Sequence, residues 1–332
     1  FCFKDTSFNR EATANLVKSF SIDRVKHVSA VYVKDLRRII KEEEIDLIHL
    51  QTIDYVTCYV ITDIIKTLNK PTFFTKKGIQ KKNSWLSKYK YNSKSIDRII
   101  CVSESVKENF AAILRPENRK KLVVVNDGVK INEQAEAPYL LREKLGISAE
   151  SFIFGSIANH TKAKDLHTLI RALKKLKILQ PKKKFYLVQI GKFSKLTPEI
   201  MEEVEKSKLN DVMSFLCFVP QASAFLSQFD SFVISSSREG GPSTLMEAFA
   251  VGTPVVSTKV GVINEAIENG KNGFYTAPGN AHALAEKMAA IMEDGELRQK
   301  FSELSKEVFR KKFTVEHLAQ ETYFIYKDLV QE

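Results

Sequence analysis

Ser235-Ser-Ser-Arg-Glu-Gly-Gly-Pro-Ser-Thr-Leu-Met-Glu247 lies between a strand pattern and a helix pattern. Residues 230–235 (DSFVIS) form a short apolar run that reads as a buried strand. Gly240, Gly241 and Pro242 read as a tight turn in which backbone approaches a ligand closely. Ser243 and Thr244 are expected to cap the helix that begins there. The free N–H groups and positive dipole end of such a helix suit a diphosphate. Glu239 stands before the turn and Glu247 about one helical turn inside, so both carboxylates are expected to face one pocket and to hold sugar hydroxyls. Taken singly, each glutamate reads as a surface charge; the pair around a Gly-Gly-Pro turn is what points to a site.

Outward from that stretch, short apolar runs alternate with helical patterns. In the second half, residues 152–157 (FIFGSI), 185–190 (FYLVQI), 213–219 (MSFLCFV) and 254–257 (PVVS) read as strands, and 165–179 as an amphipathic helix. Residues 281–329 read as helical nearly throughout. In the first half, 45–50 (IDLIHL), 71–75 (PTFFT), 98–102 (RIICV) and 122–125 (LVVV) read as strands. Helical patterns follow 45–50 up to Leu68 and open again at Ser103. The alternation predicts an α/β fold of two tandem, Rossmann-like, doubly wound domains with parallel sheets covered on both faces. A polar stretch, 133–150, separates them, which gives domains at 1–148 and 149–313 and a last helix at 314–332. Ligands in such sheets bind at the carboxyl ends of strands, here in a central cleft between the domains.

At 332 residues, 44% hydrophobic and 27% charged, the chain is long enough for two cores and too apolar for disorder. No run of eighteen apolar residues suggests a membrane span. Cys2, Cys58, Cys101 and Cys217 are scattered and read as buried free thiols of a reducing, cytoplasmic compartment. No metal-ligand spacing occurs, so no metal is expected. The net charge of +11 is uneven: residues 70–98 hold nine bases (Lys70, Lys76, Lys77, Lys81, Lys82, Lys88, Lys90, Lys94, Arg98) against the single acid Asp97, interleaved with Trp85, Leu86, Tyr89 and Tyr91. The bland reading is a solvated lysine surface; the sharper one is peripheral docking on an anionic membrane. No nucleic-acid motif accompanies the charge, so no nucleic-acid partner is expected.

The segment around Glu239 and Glu247 resembles the nucleotide-sugar-binding motif of the retaining glycosyltransferases of family 4, with its E-x7-E pair and GT-B fold. The likeness continues through Glu247-Ala-Phe-Ala-Val-Gly252-Thr-Pro-Val-Val256 and Asn269-Gly270-Lys-Asn-Gly273-Phe274. It implies a hexose-type transfer from a nucleotide-sugar donor to a glycan or lipid-linked acceptor, in cell-surface polysaccharide or lipopolysaccharide synthesis, at the inner face of the membrane and without a cofactor. It implies that Glu247 binds the ribose. Glu239 would hold the transferred sugar with the backbone of Gly240 and Gly241. Ser243, Thr244 and Leu245 would present N–H groups to the phosphates, and Lys164 would stabilise the leaving diphosphate.

Three departures stand out. Asn159 replaces an arginine that the family often carries five residues before that lysine, with Lys162 as the substitute cation. Lys77, before Gly78, replaces an acceptor-side histidine. The glycine-rich loop that follows the family's first strand is not in this sequence, which is expected to begin after that strand. Residues 314–329 resemble the family's last helix, which crosses back to the N-terminal domain. The rival readings are a nucleotide-sugar epimerase on the same architecture and a non-catalytic module that keeps the donor pocket.

Overall fold

The computed structural model describes residues 2–3, 17–22, 30–65, 67–79, 85–131 and 136–331. Two parallel sheets dominate. In the first half, β1 (Cys2–Phe3) pairs with β2 (Ser21–Ile22), and β3 (Ile48–Leu50), β4 (Thr72–Lys76), β5 (Arg98–Cys101) and β6 (Leu122–Val124) form a sheet in that order. In the second half, β7 (Phe152–Ile157), β8 (Phe185–Ile190), β9 (Met213–Leu216), β10 (Ser231–Ile234), β11 (Val255–Thr258) and β12 (Phe274–Thr276) form a six-stranded sheet in the order β12-β11-β10-β7-β8-β9. The chain winds outward from β7 through β8 and β9, then returns to its other side for β10, β11 and β12. The strand order therefore reverses between β7 and β10, and the crevice at their carboxyl ends is where such sheets bind ligands.

The near-continuous apolar strands follow from burial on both faces. In β8, Phe185 and Leu187 join the core beneath the Leu166–Leu179 and Ala281–Glu293 helices, while Val188 and Ile190 join the core on the opposite face beneath the Ser243–Val251 helix. Each such side chain contributes about 1.5–3 kcal/mol by leaving water. Gly155 in β7 is a packing requirement, because a Cβ there would lie 2.0 Å from the Phe229 ring.

The first sheet obtains one of its covers from the far end of the chain. Phe74 faces the rings of Tyr91 and Phe110. Its neighbour Phe73 points the other way, with Ile100 and Val125, onto Leu318, Ile325, Tyr326 and Leu329 of the Val315–Gln331 helix. That helix crosses back onto the N-terminal half. The crossing is tight: Val129 bridges Thr314, and a Cβ on Gly128 would lie 2.4 Å from the Thr314 carbonyl oxygen.

His49 at the edge of this seam hydrogen-bonds the Tyr326 hydroxyl through Nδ1 and the Thr75 hydroxyl through Nε2, the latter at 2.6 Å. Burial, with Lys77 nearby, pushes its imidazole down to about 4.

Several sequence expectations change in three dimensions. The strands at 45–50 and 213–219 are shorter, and β12 has no counterpart in the sequence reading. The 133–150 stretch yields the short Leu141–Leu145 helix, while 132–135 lie outside the described residues. Cys58 and Cys101 are buried free thiols, but Cys217 is exposed, because it follows the end of β9 rather than lying inside it. The 70–98 segment is not one basic surface. Lys76 is 4% exposed at the end of β4, with its ammonium over the Phe110 ring, and Tyr91 is core. Lys90 bonds Thr57 Oγ1, and Arg98 pairs with Asp328. Lys81 and Lys82 lie outside the described residues.

Unfolded, His49 takes up a proton near pH 6.5; folded, it stays neutral down to about 4. Between those values stability rises with pH. Unfolding free energy measured in urea at stepped pH is expected to fall from pH 7 toward 4, with a shallower slope in His49→Gln. An unchanged slope would assign the acid sensitivity to other groups. Tyr326→Phe keeps the ring packing and is expected to cost about 1 kcal/mol.

Candidate functional site

The loops that leave β7 and β10 meet at the strand-order reversal. Lys164 lies on the first and Glu239 on the second, and Lys164 Nζ donates to Glu239 Oε1 at 2.6 Å. The pair is largely shielded, with side chains 26% and 13% exposed. Ser236 Oγ donates to the same carboxylate oxygen at 2.6 Å. The backbones are laced as well: Ser237 N–H donates to Ala163 O at 2.8 Å, and Ser235 Oγ to Lys164 O at 3.0 Å. The Leu166–Leu179 helix starts at once, capped by Asp165, whose carboxylate accepts from Thr168 N–H; Asp165 takes the left-handed conformation at φ 45°. A short polar side chain tolerates that conformation better than most.

The Ser243–Val251 helix begins where the sequence places it, but Ser243 and Thr244 do not cap it. The N-cap is Pro242, which makes no side-chain hydrogen bond, and Ser243 and Thr244 lie within the first turn. Leu245 N–H turns back to Pro242 O at 3.0 Å. The helix start thus carries no side-chain cap on its first N–H groups. Inside the helix, Glu247 is half-buried, and no described residue bonds or pairs with its carboxylate; burial raises its pKa.

Gly240 serves a purpose the sequence did not disclose. A Cβ there would lie 2.0 Å from the carbonyl oxygen of Lys77, on the opposite domain. Its missing side chain admits a neighbouring backbone as well as any ligand. The contact brings together the residues assigned to the two sides of the cleft. Lys77, Gly78 and Ile79 line a cavity of about 270 Å³ with Arg238, Glu239, Gly240 and Gly241. Lys77 pairs with Asp127 at 3.5 Å. Arg238 also faces this space, with no ion pair to any described residue. It stands inside the decisive stretch, yet its spacing carried no signal for a pocket position.

Asn159 is exposed and sits on the β7 loop. Its Oδ1 accepts from Lys192 N–H at 2.9 Å, which ties it to the loop after β8. Gly191 makes that junction possible, since a Cβ would lie 2.0 Å from Ala158 O. Lys162 is exposed, and its carbonyl oxygen accepts from Ser237 Oγ. Lys192 is a further cation on this edge, and sequence reasoning passed over it because only the fold makes the β7 and β8 loops adjacent.

The model of the glycosyl transferases group 1 family matches residues 140–308, and that of glycosyltransferase family 4 matches residues 7–133. The chain belongs to the glycosyl transferases group 1. It is 27% identical over 195 residues to the N-acetyl-alpha-D-glucosaminyl L-malate synthase of Bacillus anthracis, a match that covers 58% of this chain and 49% of that protein. The chain thus spans about half the length of that relative. It is 26% identical over 242 residues to the capsular polysaccharide biosynthesis glycosyltransferase CapM of Staphylococcus aureus, covering 70% of this chain and 62% of that one. The crystal structure of Anabaena Alr3699/HepE in complex with UDP superposes with a TM-score of 0.84 at 21% identity, over 98% of this chain and 90% of that one. At that identity the likeness establishes the GT-B architecture of this glycosyltransferase.

Gly240→Ala forces its methyl group onto the Lys77 carbonyl. It is expected to destabilise the protein by about 1–3 kcal/mol, read as a lowered Tm. Gly78→Ala meets nothing within 4 Å, so it is expected to leave Tm within about a degree on steric grounds.

Proposed function

We propose that this glycosyltransferase moves a hexose-type sugar from a nucleoside-diphosphate sugar to a glycan or lipid-linked acceptor, with retention of anomeric configuration. The observation that carries the reading is the convergence, at one strand-order reversal, of the Lys164–Glu239 pair, an uncapped helix start and the unpartnered Glu247. An anionic diphosphate fits the first N–H groups of the Ser243–Val251 helix, at Ser243 and Thr244, beside the Leu245 turn. Lys164, bonded to Glu239 on the turn that leads into this helix, would neutralise charge as the diphosphate departs. Glu247 supplies acceptor oxygens for the ribose hydroxyls, and Glu239 with Gly240 and Gly241 holds the transferred sugar. Asn159 carries no charge; Lys192, held beside it, and Lys162 provide cations on the same edge. The acceptor hydroxyl forms its bond to the anomeric carbon as the bond from that carbon to the β-phosphate oxygen breaks. The hydroxyl proton leaves with the nucleoside diphosphate. The charge stabilisation in this reading comes from cationic and dipolar groups rather than from a divalent metal.

The acceptor enters from the Lys77–Gly78 side of the cleft. The relative named for capsular polysaccharide biosynthesis supports a polysaccharide or lipopolysaccharide pathway, and the UDP complex of the superposable structure supports a uridine donor. No helix among the described residues is long and apolar enough to cross a membrane. We assign the enzyme to the cytoplasmic face of one, touching it peripherally. Trp85, Leu86 and Tyr89 are 74%, 57% and 60% exposed on one short helix beside exposed Lys88. Aromatic rings with flanking bases suit an anionic lipid interface.

Calorimetric titration of the protein with UDP, GDP and ADP is expected to show micromolar binding of one nucleotide, weakened at least tenfold in Glu247→Ala. Binding of none by folded protein would remove the donor-site reading. The affinity should also decline on acidification, because Glu247 accepts hydrogen bonds best when ionised and burial raises its pKa. Glu247→Gln should flatten that decline. Vesicles containing anionic lipid are expected to co-sediment the protein in a salt-dependent manner, and a Trp85→Ala, Lys88→Ala variant to lose this. Equal sedimentation with neutral vesicles would exclude the electrostatic contact.

A further inference from the structure

The loop behind the donor turn is fastened to the N-terminal domain. It follows β11, and Val262 N–H donates to Gly240 O at 2.9 Å. Gly261, at φ 53°, lies so close that a Cβ would be 2.5 Å from the Glu239 carbonyl oxygen. The Glu239–Gly240 turn therefore takes its position from this loop.

The same loop reaches across the cleft. Glu265 Oε1 accepts from Glu104 N–H at 2.8 Å, and the carboxylate also meets the Ser105 N–H and the Asn126 side chain. Ser105 Oγ donates to Gly261 O at 3.2 Å, and Asn264 Nδ2 to Ser105 Oγ at 3.1 Å. Ser103 Oγ donates to Gly240 O at 3.3 Å. Glu104 and Ser105 open the Glu104–Ala111 helix, with Ser103 as its N-cap. Their N–H groups have no partner within a helix, and the dipole favours an anion beside them. Here that anion is a carboxylate from the opposite domain.

We propose that Glu265 is a positioning residue for sugar transfer. Seated on the start of the Glu104–Ala111 helix, it sets the distance between the Glu239–Gly240 turn and the Lys77–Gly78 segment. The proposal rests on the transferase reading above. Glu265 does not line the cavity between those segments, so it acts through the turn. The spacing has little slack, since Gly240 already lies against the Lys77 carbonyl. A misplacement of about 1 Å at such a site can cost roughly 100-fold in rate.

The test uses the full chain, with UDP as binding probe and hydrolysis of UDP-glucose as turnover. Glu265→Ala is expected to lower kcat about tenfold or more, to leave UDP affinity within about twofold, and to raise the radius of gyration in solution scattering. Glu265→Gln keeps an acceptor oxygen and should recover most of the rate. Glu104→Pro approaches the same bond from the other side. Proline is favoured at the first helical position, so it deletes the donor N–H without breaking the helix. Glu104→Ala keeps that N–H and should match wild type. The proposal is overturned if Glu104→Pro behaves like Glu104→Ala in both rate and radius, or if Glu265→Ala loses UDP affinity as steeply as rate. Should wild type bind no UDP and turn over no UDP-glucose, the scattering comparison still decides whether Glu265 holds the domains together.

Discussion

A parallel sheet needs a cover on both faces, and the N-terminal sheet obtains one of its covers from the opposite end of the chain. Phe73, Ile100 and Val125 would face water without the Val315–Gln331 helix. Burying that face returns the chain's end to its first half, at the Val129–Thr314 bridge. Two domains that a single linker would leave independent are thereby joined twice. The relative placement of their loops, on which a cleft depends, follows from that second connection.

With the halves held, polar contacts at the cleft become specific rather than adventitious. Gly240 approaches Lys77, Ser103 reaches Gly240, and Glu265 seats on the Glu104 helix. The last of these seats a carboxylate on helix-start N–H groups that the helix itself leaves unsatisfied. The Glu239–Gly240 turn is buttressed from behind by the β11 loop and pressed from the front by the N-terminal domain. Such support fixes the turn's geometry more tightly than its own residues would, and a polar group shielded from water interacts more strongly than one at an open surface.

Glu239 and Lys164 show how far a motif can be read. Their identities were legible because a strand, a glycine turn and a helix follow one another locally, and local order fixes which end of the sheet they occupy. Their mutual bond was not legible, because it depends on β7 and β10 being neighbours, and β8, β9 and the rest of 158–230 separate those two strands along the chain. Lys76 and Tyr91 show the converse. Among nine bases and several aromatics they read as surface, yet β4 alternation turns Lys76 onto Phe110, and Tyr91 packs on Phe74. A charge run does not reveal which of its members a fold will bury.

The sequence by itself determined the α/β class with two parallel sheets, most of the strands and helices in their order, and the Gly240–Gly241–Pro242 turn between Glu239 and Glu247. These depend on periodicity and on neighbours within one turn or loop, which hydrophobic patterning and backbone chemistry dictate directly. Only the tertiary structure decided that Gly240 is small for the sake of Lys77. It alone joined Glu265 to the Glu104 helix. Those contacts join residues far apart in the chain, and their distances are set by how the two halves pack, a property that no local pattern records.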